Sequence, residues 1–311
     1  VLNTTMAMNI PARGLQIEAG GEILMGDQEY ASTRNIWQET ARRNGLSVRF
    51  VEFPMMPYNP DEIVDAFAAS MNPNTKVVLF SHVYFTTGLV TPVAKLTAMV
   101  HDNGAVVVVD GAHAPGMVPL ELDEWDCDFY GASCHKWLLA PKGVGFAYVA
   151  ERHAGNMEPP LLGFAQQESS DAQRFEAPGV CDWTHAAALE TALEFQLAIG
   201  WENRIRPYCL GLALYLKQRI LREFPASHLT VPMDEEMSGF IVSFYLEDVD
   251  AEKVCRYLWE DRRIEVVNTP AYGHSCFRVS THFYASFDDL DRFLEALKEV
   301  SERGDMKLEQ N

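Results

Sequence analysis

Basic residues are scarce in this chain: 25 lysines and arginines face 44 aspartates and glutamates, for a formal net charge of -19. Such an excess repels nucleic acid and anionic membrane surfaces at long range, so neither is expected as a partner. Any anionic ligand must be caught by local donors. Long apolar runs are missing too. No stretch approaches the ~18 to 20 uninterrupted apolar residues that a membrane span needs, and the start, VLNTTMAMNIPARG, has no basic region followed by an apolar one. A soluble, cytoplasmic protein is the expectation. Because the chain opens on valine and enters structure almost at once, an amino-terminal segment absent from this numbering is expected as well. Paired cysteines are lacking: Cys127, Cys134, Cys181, Cys209, Cys255 and Cys276 are scattered, without a CxxC pair or metal-ligand spacing. This argues against a zinc site or a disulfide framework and for free thiols in a reducing compartment. Internal repeats and low-complexity tracts are absent.

What is present is a large apolar fraction, 48% of 311 residues, enough for a sizeable core and about two domains. From residue 20 to 150, short aliphatic runs alternate with helical segments: Glu22 to Met25, Leu46 to Phe53, Lys76 to Val83, Ala105 to Asp110 and Gly145 to Val149. The near-continuous apolarity of AVVVVD predicts a strand covered on both faces, and strand-helix alternation predicts a parallel sheet. The fold class is therefore α/β, a doubly wound and mainly parallel sheet, followed by a smaller α+β domain. The expected boundaries are 1–165 for the large domain, 166–205 for an interdomain loop and helix, and 206–311 for the small domain. One long helical pattern runs from about His185 to Phe224.

In a doubly wound sheet, ligands bind beyond the carboxyl ends of the strands. Four groups fall at such ends: Glu29 with Tyr30, the run His82 to Gly88, Asp110 with His113, and Ser133, His135 and Lys136 in GASCHKW. A lysine beside a histidine and a serine, with a buried aspartate one strand away, suits pyridoxal 5'-phosphate. The lysine forms a Schiff base, the aspartate keeps the pyridine nitrogen protonated, and hydroxyl and imidazole hold the phosphate. Each residue also has a plainer reading. Asp110 at the end of four valines needs a cationic partner, yet a strand-end carboxylate can also cap the next loop. His113 could bond the cofactor's phenolic oxygen or be a satisfied core histidine, and Tyr30 could stack on the ring or pack in the core. Asn3, Thr4 and Thr5 open a helix-like run, where hydroxyls and free amides suit phosphate but also serve as an ordinary cap. Arg278 could pair with a surface acid; facing an interdomain cleft, it would clamp an α-carboxylate.

Together these stretches resemble the class V aminotransferase-like family of fold type I pyridoxal phosphate enzymes, and within it an epimerase branch. The resemblance is carried by FSHVYFTTGLVTPV (Phe80 to Val93), VVVDGAHAPGMVPLEL (Val107 to Leu122), CDFYGASCHKWLLAPKGVGF (Cys127 to Phe146), YLWEDRRIEV (Tyr257 to Val266) and FRVSTHFYASFDDLDRFLEAL (Phe277 to Leu297). It implies Lys136 as the Schiff-base lysine, Asp110 at the pyridine nitrogen and His113 at the phenolic oxygen. It further implies Thr4, Ser133 and His135 at the phosphate, Tyr30 on the ring, Arg278 at the substrate carboxylate, and a homodimer with active sites at its interface. Two departures bear on the substrate. Relatives commonly carry Gly-Thr-Arg-Asp where this chain has Gly179, Val180, Cys181 and Asp182, which removes a hydroxyl that reaches the neighbouring subunit's phosphate. The family's cysteine desulfurases need a reactive cysteine on a mobile loop, and Cys276, two residues before Arg278 in a predicted strand, is poorly placed for that.

The leading expectation is an epimerase or racemase acting at the α-carbon of an amino acid. A carbon-sulfur lyase or an aminotransferase is the enzymatic alternative, and a cofactor-free binding protein on the same fold is the alternative of another class.

Overall fold

A computed structural model of the chain describes residues 1–161, 171–176, 179–180, 182–301 and 303–308, and contacts divide it into two compact units. The first comprises Val1–Phe53, Asn59–Val83 and Thr91–Ile199. Its six strands are β1 (Glu22–Gly26), β2 (Ser47–Val51), β3 (Thr75–Ser81), β4 (Val106–Asp110), β5 (Phe129–Ser133) and β6 (Gly145–Val149), in the order β2-β1-β3-β4-β5-β6. The first five run parallel and β6 returns antiparallel to β5. Helices α1 (Thr4–Gly14), α2 (Ala31–Asn44), α3 (Pro60–Ser70) and α4 (Val93–Asp102) cover the sheet, with short turns α5 (Leu122–Trp125) and α6 (Glu151–Ala154) and the longer α7 (Thr184–Ala198) following. Val107, Val108 and Val109 in β4 are fully buried, as their continuous apolarity predicts. The chain runs from β1 outward to β2 and then back across to β3, so the sheet reverses direction between β1 and β3. In doubly wound sheets, ligands bind beyond the carboxyl ends of the strands at such a reversal.

The second unit comprises Pro54–Tyr58, Tyr84–Val90 and Gly200–Asn311. A sheet of β7 (Ser227–Leu229), β8 (Ile241–Leu246), β9 (Val267–Asn268) and β10 (Phe277–Ser280), in the order β7-β8-β10-β9, is antiparallel throughout. It shares a core with α8 (Arg206–Glu223), α9 (Ala251–Arg262) and α10 (Phe287–Ser301). In α10 the buried residues Leu290, Phe293, Leu294, Leu297 and Val300 recur at helical spacing, which is why this segment folds as an amphipathic helix.

The single long helix predicted between His185 and Phe224 is two. Gly200 adopts the left-handed conformation at φ 74°, a π-helical turn spans Trp201–Ile205, and α8 restarts with Pro207 in its first turn. Proline's missing N–H is tolerated there, where no intrahelical partner is needed. Among the described residues, no helix is long and apolar enough to cross a membrane, and no cluster of ligands suits a metal ion.

Candidate active site

Register sets the site. Ser81 in β3 lies opposite Asp110 in β4, and Asp110 opposite Gly131 in β5, so three strands end at one edge. Gly131 lets α1 lie directly on β5: a Cβ there would come within 2.5 Å of the Ala7 side chain. That close approach brings the first residue of α1 to the end of β5. The Thr4 amide donates to Ser133 Oγ at 2.9 Å, and the two hydroxyls lie 2.8 Å apart, both buried. Asn3 caps the helix, accepting from the Met6 amide. Thr5 is exposed and its carbonyl accepts from Asn9, so the phosphate-type pairing involves Thr4 rather than Thr5.

Asp110 is 3% exposed. Its Oδ2 accepts from the Thr33 hydroxyl at 2.6 Å and its Oδ1 from the Ala112 amide at 3.0 Å. Burial pushes its pKa up, against these two bonds and the attraction of Lys136. The Lys136 amine lies 2.9 Å from His113 Nε2, and the Trp137 indole N–H donates to His113 Nδ1 at 3.2 Å. An indole can only donate, so Nδ1 holds the lone pair and Nε2 the proton. The loop after β1 is anchored by buried Glu29, which accepts from the Ser81 amide and hydroxyl at 2.8 and 2.6 Å. Tyr30 follows as the cap of α2, 49% exposed at the carboxyl end of β1. His135 carries a buried Nδ1 without a hydrogen-bond partner among the described residues, and burial with the charges of Lys136 and Lys142 lowers its pKa.

These residues fit pyridoxal phosphate. Asp110 is a buried acid that a pyridinium cation would relieve, His135 is an unsatisfied neutral donor, and two buried hydroxyls meet at a helix amino terminus as a phosphate cradle requires. Sequence reasoning missed Thr33 and Trp137. Trp137 directly follows the lysine and could have been considered as a donor to the neighbouring histidine. Thr33 is one turn into α2, 77 residues from Asp110, and nothing local marks the pairing.

In the second unit, Arg278 lies in β10 opposite Ser243 of β8. Its Nη1 donates to the Phe85 carbonyl at 3.0 Å, its Nε is buried without a partner among the described residues, and burial lowers its pKa. Val180 is fully exposed and Asp182, just before α7, accepts from the Thr184 amide, while Cys181 lies outside the described residues. Cys276 is buried and its thiol is pushed up to about 11 by burial, so it is not a thiolate at neutral pH.

The sequence profile of the family Aminotransferase class-V matches residues 1–293. The chain belongs to the class-V aminotransferase family. Isopenicillin N epimerase of Amycolatopsis lactamdurans is 38% identical, aligned over 96% of this chain and 79% of the relative, and that of Streptomyces clavuligerus is 37% identical over 95% and 78%. Among solved structures, the cystine C-S lyase C-DES, in complex with cysteine persulfide, superposes with a TM-score of 0.83 at 26% identity, covering 95% of this chain and 79% of that one. A lysine-to-alanine variant of the same lyase, with glycine covalently linked to its PLP cofactor, gives the same TM-score at 25% identity, covering 95% and 78%. The expected family, fold class and cofactor chemistry agree with these likenesses.

Proposed function

We propose that the protein is a pyridoxal phosphate-dependent enzyme acting at the α-carbon of an amino acid, and that it inverts that carbon. The observation that carries the reading is the Lys136 amine 2.9 Å from His113 Nε2 beside the buried acid Asp110, within a chain 38% identical to an isopenicillin N epimerase. When bound, the cofactor supplies an electron sink that acidifies the α-proton of an attached amino acid. Lys136 would hold the cofactor covalently through Nζ, and once the substrate's amine has displaced it the freed amine would be the base for the α-proton. Asp110 keeps the pyridine nitrogen protonated, with Thr33 and the Ala112 amide orienting its carboxylate. The Nε2 proton of His113 serves the phenolic oxygen. Thr4, Ser133 and His135 hold the phosphate, Tyr30 covers the ring, and Arg278 takes the substrate carboxylate.

A carbon-sulfur lyase or an aminotransferase is the second reading, and the likeness to a cystine C-S lyase favours the lyase. Against a desulfurase stand five cysteines among the described residues, Cys127, Cys134, Cys209, Cys255 and Cys276, all buried with pKa values pushed up to about 11 or 12. Such thiols suit a reducing compartment such as the cytoplasm and are poor nucleophiles. A homodimer is supported by α7, an apolar helix whose Leu193, Phe195 and Leu197 are exposed. The test is incubation of isopenicillin N and bulky amino acids in heavy water. An epimerase incorporates deuterium at an inverted α-carbon without stoichiometric keto acid; keto acid matching substrate loss assigns the lyase or aminotransferase instead.

A further inference from the structure

Arg278 is aimed by the Phe85 carbonyl, and Phe85 belongs to Tyr84–Val90, seven residues that pack within the second unit. This turn is closed internally, the Tyr84 amide donating to Leu89 and the Gly88 amide to Tyr84 at 2.9 and 2.8 Å. It then rides on the segment that leads into β8. Leu89 bridges Ser238 in antiparallel fashion, and the Val90 amide donates to Met237 at 3.0 Å. Gly88, at φ +83°, sits so tightly that a Cβ would come within 2.6 Å of the Ile241 carbonyl.

Ser238 is itself held from below. Its hydroxyl donates to the Asp234 carbonyl at 2.7 Å, and having one proton it must accept from Lys217 Nζ at 2.8 Å. Lys217 lies in α8, 2% exposed, and donates also to the Pro232 carbonyl at 2.6 Å. Its pKa is pushed down to about 8 by burial, with Glu235 and Asp234 opposing. A lysine buried so deeply costs more than an apolar side chain of the same volume, and the groups it binds shape only the 232–238 segment. We propose that Lys217 is a positioning residue for substrate recognition: through Ser238 and the 84–90 turn it fixes the Phe85 carbonyl that aims Arg278 at the substrate's α-carboxylate. This rests on the reading of Arg278 as the carboxylate clamp.

The test compares glycine with methylamine, the same amine without the carboxylate, by the change each causes in the cofactor absorbance of the holoenzyme. Lys217→Met is expected to weaken apparent glycine affinity about tenfold and to leave methylamine within about twofold, since one buried charge-assisted bond is lost. Hydrogen exchange of the Gly88 and Val90 amides in the cofactor-free protein should quicken as the turn loosens. Equal weakening of both amines, or unchanged glycine affinity in a folded variant, overturns the proposal. If Lys217→Met does not fold, Ser238→Ala carries the test, because it keeps the lysine and its bond to Pro232: selective loss for glycine supports the relay and unchanged affinity refutes it. Arg278→Leu separates the two claims. Should it leave the glycine-to-methylamine ratio unchanged, the carboxylate assignment falls; if it changes the ratio and Lys217→Met does not, only the relay falls.

Discussion

Asp110 concentrates the electrostatic cost of the first unit, because its carboxylate ends a strand of valines and is neutralised only by distance-weakened attraction to Lys136 and by two donors. Burial raises its pKa above that of the unfolded chain. Stability present below the unfolded value is therefore lost as pH rises through the folded value, so in the cofactor-free protein the buried carboxyl favours folding less at neutral pH than in acid. Asp110→Asn preserves the shape and can bond Thr33 and the Ala112 amide through its amide nitrogen and oxygen. The cofactor-free variant should melt at or above the wild-type temperature at pH 7 in calorimetry, while turnover falls by about 10^2-fold or more for want of a protonated ring nitrogen. A lower melting temperature with unchanged turnover would remove Asp110 from the mechanism. At this scale the sequence was most readable where chemistry and burial conflict, as at Asp110 and Lys136. It was least readable where a neutral donor completes the arrangement. The Trp137 indole and Thr33 hydroxyl carry no pattern of their own, and their roles depend on folding against residues brought from elsewhere.

Between elements, the contact of α1 with β5 decides whether a phosphate cradle exists. Gly131→Val would push its side chain against Ala7 and Met8, an overpacking that typically costs ~1–3 kcal/mol. Lifting α1 separates Thr4 from Ser133, so cofactor affinity should drop more than about tenfold in an absorbance titration while the protein remains folded. An unaltered affinity would show that the α1 terminus does not bind the phosphate. The parallel strands were legible because runs such as AVVVVD can be buried only when both faces are covered. The amphipathic α10 was equally plain from its spacing. The break between α7 and α8 was signalled only by Pro207, which an unbroken helix would not accommodate; the glycine breaks the helix by adopting positive φ and the proline is tolerated at the restart. HVYFTTG contains no boundary signal, although its last residues join the second unit and hold Arg278.

For the molecule as a whole, a helix that is apolar yet mostly exposed is an unfinished surface. Of the fifteen residues of α7 only Ala192 and Gln196 are buried, while Leu193, Phe195 and Leu197 face outward. Exposed apolar patches of this kind mark association sites, and a second copy is the occupant the proposed homodimer supplies. The double substitution Phe195→Asp and Leu197→Asp should shift the protein from dimer to monomer in size-exclusion chromatography with light scattering at micromolar concentration; an unshifted dimer would place the interface elsewhere. The net charge of -19 makes this association depend on apolar contact rather than attraction, so salt should strengthen the dimer rather than dissolve it. The account as a whole stands on Lys136 as the attachment point of the cofactor. Reduction of the yellow holoenzyme with borohydride, digestion and mass spectrometry tests this most directly. The cofactor mass is expected on Lys136 in the GASCHKW peptide and should vanish in Lys136→Ala; attachment to another lysine, such as Lys142, would contradict it.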